Sequence, residues 1–270
     1  MIRTKIVVLA KAVPEVRNVR LSIKGNDIDR SELNYVLNEQ DDYALEEALQ
    51  LREKSGGEVK VVSVGDEGAR KGITQVIRQC YAKGADSGLM LLDASYGEWD
   101  DAVKARIIAR MLDGEGADLI LCGSQSSDTS SSRLGPMVAQ IMGMPHATLI
   151  TSLQMLDGGS LRVKRDLEQG IQEIVDIRMP CLLTTQTGIN TPRYASLNRI
   201  IAATRKEIAQ RTRQDIGISD TDIEKWNAVR RVAVSFPAER ASNALFIEGK
   251  PEEEAAQLLR ILREKGLLQR

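Results

Sequence analysis

Residues 123–136 read Gly-Ser-Gln-Ser-Ser-Asp-Thr-Ser-Ser-Ser-Arg-Leu-Gly-Pro. Gly123 opens the run. Ser124, Gln125, Ser126, Ser127, Asp128, Thr129, Ser130, Ser131 and Ser132 fill it with small polar side chains, and Arg133 and Leu134 close it. Hydroxyls, one guanidinium and backbone N–H groups near a helix start make a phosphate cradle. No Gly-Lys-Ser/Thr follows at Walker spacing, and the Rossmann glycine pattern is missing too. The same composition suits a flexible serine-rich loop. Placement between a strand and a helix favours the cradle, because ligands of open α/β sheets sit beyond the carboxyl ends of strands. No residue is singled out as acid, base or nucleophile. His146, the lone histidine, follows Pro145 without a Cys or carboxylate at metal spacing and reads as structural.

The elements that must carry this loop alternate. Lys5 to Ala10 is a short apolar, β-branched run, expected to be a buried strand. Small Ala10 at its carboxyl end lets a flat ring approach, or serves packing alone. Asn38-Glu39-Gln40-Asp41 precedes a helix expected over Tyr43 to Lys54, and Asn38 suits a helix cap or turn. Strands follow at Glu58 to Val64, Gly88 to Leu92 and Ala117 to Cys122, with helices at Gly68 to Lys83, Asp100 to Leu112 and Leu134 to Met142. This pattern argues for a parallel sheet sandwiched by helices, of the adenine-nucleotide-binding type.

Beyond Pro145 the periodicity changes. Thr148 to Leu156 and Ser160 to Asp166 flank Asp157-Gly158-Gly159, a hairpin signal that predicts a small antiparallel addition. Val163 to Leu197 then reads as strand, turn, strand, a break at Pro180, a buried run and a corner at Pro192. Ile171, Val175 and Ile177 share one face of the second strand, with Glu173 and Ile174 breaking the alternation. A helix is expected over Ala195 to Ile208, a polar linker over Arg211 to Asp222, and a strand over Arg231 to Phe236. An amphipathic helix over Pro251 to Lys265 docks either on a partner or on its own domain. The division is therefore 1–210, an α/β nucleotide-binding domain with its hairpin addition, and 211–270, a linker and C-terminal arm.

Bulk numbers exclude several classes. Aromatic residues are 3% of the 270 positions, too few for base-stacking surfaces. A net charge of −1 leaves no electrostatic footprint for nucleic acid or an anionic membrane. No apolar run approaches a membrane span, and the first residues lead into a strand rather than a signal peptide. Cys80, Cys122 and Cys181 are widely spaced and odd in number, which fits a reducing cytoplasm better than a disulfide framework.

Arg165, Gly170, Pro180, Pro192, Arg193, Tyr194 and Leu197 stand together in a pattern that resembles the signature of the beta subunit of electron-transfer flavoproteins. Further landmarks, including Val62-Ser63-Val64-Gly65 and Lys83-Gly84-Ala85-Asp86, extend the likeness over most of the chain. The resemblance implies a non-enzymatic electron carrier subunit in a heterodimer with an alpha subunit that holds most of the FAD. It implies AMP, or in bifurcating members a second FAD, on this chain. By position Ala10, Asn38, Glu39, Gln40, Asp41, Val64 and Gly123 to Leu134 match the family's nucleotide contacts. Arg165 matches a residue near the subunit interface. Tyr194 to Ile200 matches a loop that recognises dehydrogenases, with Leu197 as its anchor.

The chain also departs from the family. Ser132-Arg133-Leu134 stands where ordinary members carry Asn-Gln-Thr. Asp128-Thr129-Ser130-Ser131 stands where bifurcating members carry an Asp-Gly-Asp-Thr type loop, and they place threonines near Asp101 and Lys104. Val16 stands where some members have a tyrosine beside the flavin. Arg133 and Lys104 either supply positive charge to a phosphate or lie on the surface. The nucleotide is thus left open between AMP and FAD. Two other readings of the scaffold remain, an ATP-using hydrolase or ligase and a self-dimerising, stress-type nucleotide-binding protein.

Overall fold

The computed structural model describes residues 3–16, 21–24, 27–29, 33–228, 235 and 244–268. The strand expected over Arg231 to Phe236 lies, apart from Ser235, outside them. Two units are present, Met1–Val234 and Ser235–Arg270. In the first unit the chain opens with β1 (Thr4–Leu9), β2 (Ala12–Pro14), β3 (Ile23–Lys24), β4 (Asp27–Ile28) and β5 (Tyr35–Leu37). Then come α1 (Glu39–Ser55), β6 (Gly57–Asp66), α2 (Arg70–Lys83), β7 (Ser87–Asp93), α3 (Asp101–Leu112), β8 (Leu119–Gly123) and α4 (Leu134–Met142). The unit continues through β9 (His146–Met155), β10 (Ser160–Asp166), β11 (Gln172–Arg178), β12 (Cys181–Thr185), α5 (Leu197–Ala203), β13 (Ala209–Arg211) and α6 (Asp220–Trp226). The second unit carries α7 (Pro251–Glu264).

A nine-stranded sheet runs in the order β11-β10-β9-β12-β8-β1-β6-β7-β13. Every pairing from β9 to β13 is parallel, and β10 pairs antiparallel with both β9 and β11. The antiparallel addition is thus an extension of the same sheet. Strand alternation divides the core in two. Ile6 and Val8 of β1 pack with Leu45 and Leu49 of α1 and Ile73 and Ile77 of α2. Val7 and Leu9 pack on the opposite face with Val103, Ile107 and Met111 of α3 and Val138 of α4. Helix α1 has Glu39, Asp41 and Asp42 in its first turn and Arg52 and Lys54 in its last, each sign opposing the helix dipole.

The chain goes from β1 to β6 on one side, and later returns to β8 on the other side of β1. The helices that follow β1 and β8 therefore leave on opposite faces, which opens a crevice at the strands' carboxyl ends. That is where the candidate site lies.

Three expectations need correction. The Arg211 to Asp222 segment is not a linker. Arg211 closes β13, which pairs with β7, and Ser219 and Asp222 form a capping box for α6. Its polar residues pin it down: the Arg213 guanidinium contacts Asp93 and Asp220. The helix expected over Ala195 to Ile208 is shorter, Leu197–Ala203, with Ser196 extended at its N-cap. In the strand from 172 to 178 only Ile177 is buried. Ile171 precedes that edge strand and Ile174 faces outward, both exposed.

Candidate functional site

Leu9, Ala10 and Lys11 at the end of β1, Val62 and Val64 of β6, and Cys122 and Gly123 of β8 form the floor of a cleft. Tyr96, Asp101, Lys104 and Ile108 supply one wall, and the loop into α4 supplies another. Counting its open mouth, the cleft spans about 770 Å³ of space between atoms. Apolar walls and a rim of hydroxyls, amides and charges suit a nucleotide. Gly123 lets the loop start close to α1, since a Cβ there would lie 2.6 Å from the Gln40 Cβ and 2.7 Å from an Asp41 oxygen.

The first turn of α1 holds this loop in place. Asn38 sits at the helix N-cap, yet its side chain makes no capping bond. Instead its Nδ2 donates to the Gln125 carbonyl at 2.9 Å, and its Oδ1 accepts from the Ser127 N–H at 3.2 Å. The Gln40 side-chain oxygen accepts from the Gln125 N–H at 2.9 Å and from the Ser124 hydroxyl. Asp41 accepts the Lys11 and Gly123 N–H groups, each at 2.8 Å, and so staples the end of β1 to the end of β8. Burial pushes the Asp41 carboxyl up to about 6, against hydrogen bonds from Lys11, Gly123 and Asn38.

Charge is arranged in pairs around the rim. Lys11 Nζ donates to Asp128 at 2.6 Å and to the Ser126 hydroxyl at 3.0 Å. Burial acts upward on the Asp128 carboxyl, but the Lys11 charge and hydrogen bonds hold it below the usual carboxylate range. Arg133 Nη2 donates to Asp101 at 3.0 Å. Ser130 and Ser132 adopt left-handed backbone, φ 49° and 54°, a strained conformation that functional loops often carry.

Of the nucleotide contacts expected from sequence, Ala10, Asn38, Asp41, Val64, Gly123, Ser124, Gln125, Ser126, Thr129, Ser131, Ser132 and Leu134 line the cleft. Gln40, Ser127 and Asp128 act one step back, through the bonds just described. Glu39, Ser130 and Arg133 do not line it. Sequence reasoning left out Lys11 and the wall of Tyr96 and Asp101. The available signal was position, since Lys11 directly follows a strand that ends at the crevice. Val16 is exposed, and His146 opens β9. Among the described residues no group of three or more His, Cys, Asp and Glu is placed to hold a metal ion.

The second feature lies beyond the Pro192 corner. Arg193 Nε and N–H both donate to Glu46 of α1, at 2.8 and 3.1 Å, and its Nη atoms reach Glu53. Burial acts upward on Glu46, yet these bonds hold its carboxyl below the usual range. The clamp fixes the backbone while Tyr194 and Leu197 stand out, 98% and 71% exposed, with Ile200 and Ile201 beside them. Arg165 lies on β10 opposite Glu173, whose carboxylate is 3.3 Å from Nε but out of hydrogen-bond alignment.

The sequence matches the electron transfer flavoprotein domain over residues 26–216. It is 37% identical over 241 residues to the electron transfer flavoprotein subunit beta of Methylophilus methylotrophus, covering 89% of this chain and 90% of that one. It is 30% identical over 249 residues to the Bacillus subtilis subunit beta, covering 92% and 93%. It is also 30% identical over 267 residues to subunit CarD of the caffeyl-CoA reductase-Etf complex of Acetobacterium woodii, covering 98% and 100%.

Proposed function

The chain belongs to the electron transfer flavoprotein beta subunit family, and from that premise we propose that it holds an adenine nucleotide, AMP or a second FAD, in the cleft at the switch point. As a beta subunit it works with an alpha subunit, on which we place the electron-carrying FAD. The flavin supplies the redox chemistry. The residues of this chain bind, orient and exclude water, and none of them breaks or forms a substrate bond.

One observation carries the reading: α1, β1 and β8 meet at Asp41, and the bonds from Asn38 and Gln40 hold a polar loop over apolar walls. This arrangement favours holding a ligand over transforming it. The hydrolase or ligase reading needs a metal-binding carboxylate or a phosphate-binding lysine in the loop; residues 123–134 hold no lysine, and Asp128 is already bonded to Lys11. Exposed Tyr194 and Leu197 fit the dehydrogenase-docking role, Arg165 the alpha-subunit interface, and the C-terminal arm a hold on that partner. A cytoplasmic location fits three free buried cysteines.

Co-expression with an alpha subunit tests the reading. The heterodimer is expected to be yellow and to release either one FAD and one AMP, or two FAD. A colourless pair that releases no adenylate overturns it. In a yellow heterodimer, Leu197→Ser is expected to leave the spectrum unchanged while raising the KM for the dehydrogenase by about tenfold. An unchanged KM removes the docking role.

A further inference from the structure

We propose that Asn190 and Glu47 form a joint, separate from the Arg193 clamp, that positions the docking tip. The inference rests on the dehydrogenase-docking role given above to Leu197, and it names positioning residues for that tip. Residues 186–196 join β12 to α5 and contain neither helix nor strand. Such a stretch keeps one shape only where its groups are tied down. Its start is held by the Gln186 N–H on the Ile150 carbonyl at 2.9 Å. Its end is held by Arg193 on Glu46 and Glu53. Asn190 is the tie between these two, just ahead of exposed Tyr194 and Leu197.

Asn190 Nδ2 donates to the Tyr43 carbonyl and to Glu47 Oε2, each at 3.0 Å. Both acceptors belong to α1, one turn apart, so a single amide fixes the loop in direction as well as in distance. With two acceptors facing it, only the nitrogen end of the amide fits there. The joint is costly. Glu47 is 7% exposed, and its hydrogen bond comes from a neutral amide, whereas neighbouring Glu46 takes the Arg193 guanidinium. Burial pushes the Glu47 carboxyl up, with the Asn190 bond acting against it. Asn190 Oδ1 is itself buried and, among the described residues, accepts no hydrogen bond. A buried carboxylate and an orphaned acceptor both act against stability. A joint that adds little to stability, yet spans the approach to an exposed apolar tip, is suited to positioning. It narrows the shapes that Leu197 samples before a partner arrives, and so lowers the ordering cost of docking.

Electron transfer from a dehydrogenase that reduces the wild-type heterodimer tests this, with KM and kcat read separately. Asn190→Ala is expected to raise the KM by about fivefold or more and to leave kcat within about twofold, because ordering a looser tip weakens docking. Glu47→Gln keeps an oxygen facing Asn190 and should hold KM within about twofold, whereas Glu47→Ala raises it. Glu47→Ala added to Asn190→Ala should do no further harm, as for two ends of one bond. A nitroxide on Leu197→Cys gives a readout without a dehydrogenase, since the three native cysteines are buried. Its spectrum should sharpen when Asn190→Ala is added. An unchanged KM in Asn190→Ala, equal damage from Glu47→Gln and Glu47→Ala, or an unchanged nitroxide spectrum overturns the proposal. Loss of the yellow heterodimer in both Asn190→Ala and Asn190→Ser also overturns it, by assigning the joint to the fold. If Leu197→Ser leaves KM unchanged, the docking reading falls and takes this inference with it. If Leu197→Ser raises KM and Asn190→Ala does not, this inference alone falls.

Discussion

At the scale of single residues, Asp41 concentrates the tension of the site. It is a buried carboxyl whose two oxygens each receive a backbone N–H. Burial raises its folded pKa to about 6, above the ordinary aspartate value of 3.8. A raised carboxyl contributes stability that is present below the unfolded value and lost as pH rises through the folded one. Between about pH 4 and 6 this residue therefore weakens the fold by a few kcal/mol, on the order of 2–4. Other carboxyls, such as Glu46 and Asp128, are held low and act in the opposite sense. Urea unfolding of the wild type and Asp41→Asn across pH 4 to 7 isolates it. The stability advantage of the wild type over the variant should shrink as pH rises through this window, and parallel curves would contradict the assignment. Near pH 4 Asp41→Asn should be less stable by about 1–3 kcal/mol, because an amide NH₂ then faces a backbone donor. Asn38 teaches a related lesson. Its place before a helix was legible, and a cap was the natural expectation. Its actual partners, Gln125 and Ser127, are remote in sequence, and only tertiary structure brings them near.

At the scale of elements, the parallel strands were readable because strands buried on both faces are nearly continuous apolar runs. Helix α4 and the Asp157-Gly158-Gly159 hairpin were readable from their boundaries. The segment after Arg211 was not, because its polarity resembles a solvated linker. Its charges in fact bind Asp93, Glu115 and Asp220. Close approach of elements gives two predictions. Gly123→Ala should cost about 1–3 kcal/mol and shift the urea midpoint down, because its Cβ would meet Gln40 and Asp41 as β8 passes α1. Arg193→Met should cost about 1–3 kcal/mol by leaving the buried Glu46 carboxylate without its partner. Glu53→Gln should cost less than about 1 kcal/mol, since Glu53 is half exposed. Thermal denaturation of both variants checks the order, and equal losses would show that Glu53 matters as much as Glu46.

At the scale of the whole molecule, the fold class was legible from alternation alone, whereas the cleft's chemistry was not. Arg133 turns to Asp101 and Lys11 to Asp128, and no spacing rule encodes which way such side chains turn. The first unit has two substantial apolar cores. Helix α7 of the second unit contains no buried residue, and Leu258 and Leu259 are exposed. Deleting residues 235–270 should therefore leave the first unit's thermal midpoint nearly unchanged while lowering retention of the alpha subunit on size exclusion. A large fall in the midpoint would show that the arm is needed for the fold itself. Helix α1 has one more implication. It carries Asn38, Gln40 and Asp41 toward the cleft at its start, and Glu46 and Glu53 toward the Pro-Arg-Tyr corner along its length. Anyone grafting residues 192–201 onto a relative, to retarget it to a new redox partner, must transplant those two glutamates as well. Without that footing the borrowed tip would arrive with the right letters and the wrong posture.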